Sequence, residues 1–84
     1  MSEANVKIKL TLHTTLQRKY RFGFAGQGEV DVPPGSTLAV LFNQLHMDLD
    51  MDQILLVVNG RTADLDHQLL EGDQVHVIPA ISGG

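Results

Sequence analysis

Val6, Ile8, Leu10 and Leu12 alternate with Lys7, Lys9, Thr11 and His13. Side chains on a strand point to opposite faces in turn, so this period of two predicts a strand with one apolar face. Residues 14–27 are less regular. Tyr20, Phe22 and Phe24 alternate with Lys19, Arg21 and Gly23, which predicts a strand or hairpin extension closed by the loop Gly26-Gln27-Gly28. Val30 and Val32 give a second alternating strand. It ends at Pro33-Pro34-Gly35, after which Ser36 or Thr37 can cap a helix. Leu38, Leu41, Phe42 and Leu45 fall at i, i+3, i+4 and i+7, placing one apolar stripe on a helix of about ten residues, with that stripe facing the sheet.

Asp48, Asp50 and Asp52 mark the exit loop of that helix, and Ile54 to Val58 is a continuous apolar run of the length of a buried strand. Asn59-Gly60 is a preferred pair for a tight hairpin because both positions accept positive φ. A short strand near Arg61 to Ala63 follows, and Leu65, Leu69 and Leu70 anchor a connecting turn. Glu71-Gly72-Asp73 is turn chemistry, and Gln74 to Ile78 forms the last strand. The order is two strands, a helix, then two or three strands. A helix between hairpins, packed on one face of a mixed sheet, is an α+β domain.

Composition narrows the function classes. The 84 residues make a single domain, 1–84, and the 43% hydrophobic content suits a globular fold. No apolar run approaches the roughly twenty residues that span a bilayer. Met1-Ser2-Glu3-Ala4 lacks the basic and apolar regions of a signal peptide, so the expectation is a cytoplasmic protein with no membrane partner. The absence of cysteine excludes disulfides, thiolate metal sites and any persulfide carried on a side chain. Charge is uneven within the net −4. Lys7, Lys9, Arg18, Lys19 and Arg21 oppose only Glu3 through residue 24, whereas Arg61 stands alone against nine later acidic residues. This suits either a partner with a basic docking face or a plain solvated acidic surface, and it argues against a nucleic-acid partner, since phosphate contacts require positive charge.

Several short motifs fail on inspection. Asp48-x-Asp50-x-Asp52 opens like a calcium loop, but Gln53 occupies the position of the turn glycine and Asn59 that of the bidentate glutamate. Gly23-x-x-Gly26-x-Gly28 reverses the dinucleotide spacing and leads into a strand, so a hairpin loop explains it better. Arg21-Phe22-Gly23-Phe24 has the flavour of an aromatic RNA-binding strand without its glycine. Phe22 and Phe24 are instead either strand-edge packing residues or an exposed docking patch for a protein. His13, His46, His67 and His76 are scattered without a metal-ligand spacing, and Ser36, Thr37 and Ser82 have no base nearby. The sequence therefore predicts no metal, no bound cofactor and no catalytic residue.

What remains is the C-terminus. Gly83 and Gly84 follow the apolar run from Val75 to Ile81, so the last atoms are an unhindered carboxylate on a pair of residues that accept nearly any backbone angle and can thread into a narrow active site. Without cysteine, sulfur could be carried only there. Three segments resemble the ubiquitin-related sulfur-carrier family of MoaD and ThiS, the MoaD side more closely. They are Pro34-Gly35-Ser36-Thr37-Leu38 with Leu41, Val58-Asn59-Gly60-Arg61, and Leu70-Glu71-Gly72-Asp73-Gln74-Val75 continuing through Ile78-Pro79 to Ser82-Gly83-Gly84.

The resemblance implies a β-grasp fold, with a mixed sheet of four to five strands on one main helix and a flexible tail at 79–84. It also implies a carrier cycle. An E1-like adenylyltransferase activates Gly84 with ATP, a sulfur donor converts the adenylate to a thiocarboxylate, and an acceptor enzyme such as the large subunit of molybdopterin synthase or thiazole synthase takes the sulfur. Gly83, Ser82, Ile81, Ala80 and Pro79 would thread the partner's active site, and Phe22, Phe24, Arg61 and Ile78 are candidate partner contacts. Two rival readings share the fold: a modifier joined to lysines through Gly84, and an interaction module with an inert tail.

Overall fold

The alternating segment Val6–Leu12 forms strand β1, with Ile8, Leu10 and Leu12 almost fully buried and Lys7 and Lys9 exposed. The computed structural model describes residues 5–13, 16, 20 and 26–79. Strand β2, Gln27–Val32, pairs antiparallel with β1 from Val6↔Val32 to Thr11↔Gln27. It begins earlier than the sequence suggests, because Gln27 and Gly28 continue the ladder rather than closing a loop. Gly26 is the turn residue, with φ of 77°, and its carbonyl accepts from the Leu12 N–H at 2.8 Å.

Helix α1, Leu38–Gln44, is shorter than its apolar stripe predicts. Thr37 is the N-cap, its hydroxyl accepting from the Val40 N–H, and Leu38, Leu41 and Phe42 point into the core while Leu45 is half-buried. The helix stops at His46, which takes φ of 57°. The Met47 N–H donates to the Phe42 carbonyl at 2.9 Å and the His46 N–H to Asn43 at 3.1 Å, the paired bonds of a left-handed C-terminal cap usually built on glycine.

Beyond a 3₁₀ turn at Met51–Gln53, capped by Asp50, come β3 (Ile54–Val58), β4 (Arg61–Ala63) and β5 (Gln74–Pro79). The five strands run in the order β2-β1-β5-β3-β4. β5 lies between β1, to which it is parallel, and β3, to which it is antiparallel. The last strand of the chain is thus the middle one of the sheet.

The sheet's buried apolar side chains share the face toward α1: Ile8, Leu10, Leu12, Val30, Val32, Leu56, Val58, Val75 and Val77 form one core with Leu38, Leu41, Phe42 and Leu69. The long connection from β4 to β5 completes this layer. Leu69 fills the core, its N–H donates to the Ser36 carbonyl, and the carbonyls of His67 and Leu65 accept from the N–H groups of Leu38 and Ala39. Those are donors the first turn of a helix leaves without an internal partner, so one strap satisfies the helix start and seals the core. The resulting architecture is α+β, a β-grasp with a five-stranded mixed sheet and one main helix.

Candidate functional site

Pro79 is the last residue of β5, paired with Ile54 across the sheet, so the strand runs one residue further than expected, into the segment expected to be the root of the tail. A proline is tolerated at a strand end because no further N–H is demanded of it. Around this root lie Leu16, Leu49 and Ile54 together with Asp48, Asp50 and Gln53. The acidic helix-exit loop therefore borders the end of β5. Its aspartates serve local structure as well: Asp50 caps the 3₁₀ turn by accepting from the Asp52 N–H, and the Asp48 carbonyl accepts from the Tyr20 hydroxyl at 2.9 Å. Ala80, Ile81, Ser82, Gly83 and Gly84 lie outside the described residues, as do Phe22 and Phe24.

The helix covers one face of the sheet, and strand alternation directs a second set of side chains away from it. The apolar run 54–58 is consequently buried on one side only. Leu56 and Val58 are buried, whereas Leu55 is 42% exposed and Val57 half-buried. Leu55 pairs with Ile78 and Val57 with His76, which gathers Leu55, Val57 and Ile78 into an apolar patch on the outer face of the two central strands next to the tail root. Of the expected contacts, Ile78 belongs to this patch. Arg61 does not. It pairs with Val58, whose side chain faces the helix layer, and lines a separate cleft with Asn59, Thr62, Ala63 and His67 at the β4 edge. Leu55 and Val57 were missed by sequence reasoning. The signal was present, since one helix cannot cover both faces of a sheet and an all-apolar strand must then expose alternate residues.

The turn motifs have a common structural task. Asn59 sits at φ of 53° in the β3–β4 hairpin, its side-chain amide donating to Asp73 Oδ1 at 2.8 Å and its side-chain oxygen accepting from the Gln74 N–H at 2.9 Å. Asp73 Oδ2 accepts from the Leu70 N–H at 2.9 Å, with His67 Nε2 at 3.9 Å. Meanwhile the Gly72 N–H donates to Lys7 and the Lys9 N–H to Asp73, extending the contact of β1 with the chain entering β5. Asn59 and Asp73 clasp the hairpin to the start of the central strand and fix the strand from which the tail departs.

At the start of segment 14–27 the Tyr20 N–H donates to the Leu16 carbonyl and the Leu16 N–H to His13, with Leu16 buried in the core, while Lys19 and residues 21–24, on which the strand expectation rests, lie outside the described residues. Among the described residues no three His, Cys, Asp or Glu side chains gather in a metal-binding group, and no helix is long and apolar enough to cross a membrane.

Comparison with known proteins bears on the whole domain. The ThiS family model matches residues 16–84. No curated protein matches by sequence. Among solved structures, a Pyrococcus furiosus protein assigned as subunit 1 of molybdopterin converting factor aligns with a TM-score of 0.74 at 22% identity, covering 90% of this chain and 99% of that one. Small archaeal modifier protein 1 of Haloferax volcanii aligns with a TM-score of 0.74 at 19% identity, over 90% and 99% of the two chains. The ubiquitin of Caldiarchaeum subterraneum gives a TM-score of 0.59 at 21% identity, over 95% and 99%. At these identities the structures establish the shared ubiquitin-like fold.

Proposed function

This chain belongs to the ThiS family, and from that premise we propose that it is a sulfur carrier whose C-terminal Gly84 is adenylated and then converted to a thiocarboxylate. The observation that carries the reading is the family match running through the terminal Gly83-Gly84, in a chain without cysteine. A carboxylate is a poor electrophile. An E1-like enzyme would join it to the α-phosphorus of ATP with loss of pyrophosphate, making a mixed anhydride. A sulfur donor would then displace AMP at the carbonyl carbon. Gly83 gives clearance around that carbon, and Ala80, Ile81 and Ser82 span the distance from Pro79 into the partner's active site.

The patch of Leu55, Val57 and Ile78 offers the docking surface beside the tail root, where an apolar centre suits a partner interface. The chain would act in the cytoplasm as a non-catalytic component, binding no cofactor of its own. Ile78-Pro79 and Ser82-Gly83-Gly84 favour molybdopterin-type cofactor synthesis as the destination of the sulfur, with thiamine synthesis second.

Conjugation of Gly84 to lysines is the second reading, favoured by the fold shared with small archaeal modifier protein 1. It begins with the same adenylate and differs in whether sulfur or an amine attacks. Intact mass of the protein from its native host, without reducing or acidic treatment, separates the two. A species heavier by the difference between sulfur and oxygen, located on Gly84 and missing when Gly83-Gly84 are deleted, is the expected result. Conjugates linked through Gly84 would favour the modifier. Unmodified protein alone, with a functional truncated variant, would overturn both and leave an interaction module with an inert tail.

A further inference from the structure

Two histidines 63 residues apart in sequence meet beside the outer patch. His13 follows the end of β1, its backbone N–H donating to the Val77 carbonyl at 3.1 Å, and His76 lies in the neighbouring parallel strand β5. His13 Nε2 and His76 Nδ1 are 2.9 Å apart, with ring centroids at 5.2 Å and planes tilted by 34°. In the metal-free protein one ring donates to the other. The same separation has a second meaning. Two nitrogens bound at 2.0–2.1 Å to one ion and at right angles to each other lie about 2.9 Å apart, whereas tetrahedral angles would part them to about 3.3 Å.

We propose that His13 Nε2 and His76 Nδ1 form a bidentate clamp for a divalent transition-metal ion that favours right-angle coordination, copper(II) or nickel(II). Both ligands are half-buried, His76 on β5 and His13 just past the adjoining end of β1, so their backbones are set before the ion arrives; each ring then turns roughly 45° from the N···N line to aim its lone pair at the ion. Among the described residues, Thr11 is beside His76 on β1 and Val57 opposite it on β3. Binding takes neutral imidazoles. The proton shared between the rings moves to a distant nitrogen, leaving N–H groups at His13 Nδ1 and His76 Nε2, with no net proton released. The site is independent of the sulfur-carrier reading.

The test is titration of the full chain with copper(II), nickel(II) and zinc(II) chlorides separately, followed by thermal unfolding and by NMR of the imidazole signals. Copper should broaden the His13 and His76 resonances first, and nickel should bind more tightly than zinc. His13→Asn and His76→Asn should each weaken copper binding at least tenfold and abolish the metal-dependent rise in Tm, measured against each variant's own metal-free state. His46→Asn/His67→Asn should bind like the unmodified chain. Broadening that starts at other residues, or affinity that survives both single substitutions, would overturn the clamp. Zinc binding as tightly as nickel would overturn its right-angle geometry.

Discussion

Replacing Asp73 by alanine should cut the clasp between the β3–β4 hairpin and the central strand. The carboxylate is 9% exposed and accepts two hydrogen bonds, from Asn59 Nδ2 at 2.8 Å and from the Leu70 N–H at 2.9 Å. A hydrogen bond to a charged group contributes about 1.5–3 kcal/mol net. Both donors belong to exposed residues and can turn to water once the acceptor is gone, which puts each loss at the lower end of that range. The expected destabilisation is about 3 kcal/mol. For a domain of this size it corresponds to a fall in Tm of about 12–24 °C. Urea unfolding followed by far-UV circular dichroism suits a chain without tryptophan, and the slope should not change, because the surface exposed on unfolding is the same. Asn59→Gly removes the other half of the clasp without forcing a side chain into positive φ. In a double-mutant cycle the pair should show coupling of about 1–2 kcal/mol. A loss below about 0.5 kcal/mol for Asp73→Ala, or strict additivity in the cycle, would refute the reasoning.

Three further outcomes are expected. Leu55→Asp, at a 42% exposed position on the uncovered face, should leave Tm within a few degrees while weakening binding to the activating or acceptor enzyme at least tenfold by calorimetry; unchanged affinity would place docking elsewhere. His46→Gly should stabilise the fold by about 0.5 kcal/mol in urea, since the left-handed conformation costs a side chain roughly 1–2 kcal/mol and glycine returns part of that as unfolded-state entropy. Gly72→Ala should destabilise by about 1–2 kcal/mol from backbone strain alone, because a Cβ there meets nothing within 4 Å and φ is 83°; a neutral result would mean the turn relaxes freely.

The periodicities of β1 and α1 were legible because each element buries one face and its sequence repeats at the spacing of that face. The Asn59-Gly60 hairpin and the Glu71-Gly72-Asp73 turn were legible through the backbone angles they require. Less could be read where tertiary contacts override local pattern. Leu16 is buried in a helical conformation just before the alternating aromatic segment, and His46 ends the helix at a position where glycine would have been the recognisable signal. The apolar run at β3 conceals which of its residues face outward until the number of covering helices is known. The meeting of His13 and His76 depends on the parallel pairing of β1 with β5, a long-range contact that no local spacing reveals.

The parallel pairing of the first and last strands also governs how the domain bears load. A partner that grips the C-terminal tail and pulls does so along β5, which is bonded on both edges. With β1 running in the same direction beside it, tension between the two ends of the fold strains their hydrogen bonds together in shear, rather than unzipping them one by one. On the proposed carrier reading, a partner drawing on the C-terminal residues would leave the domain folded outside its active site, with β5, held at both edges, as the mechanical stop.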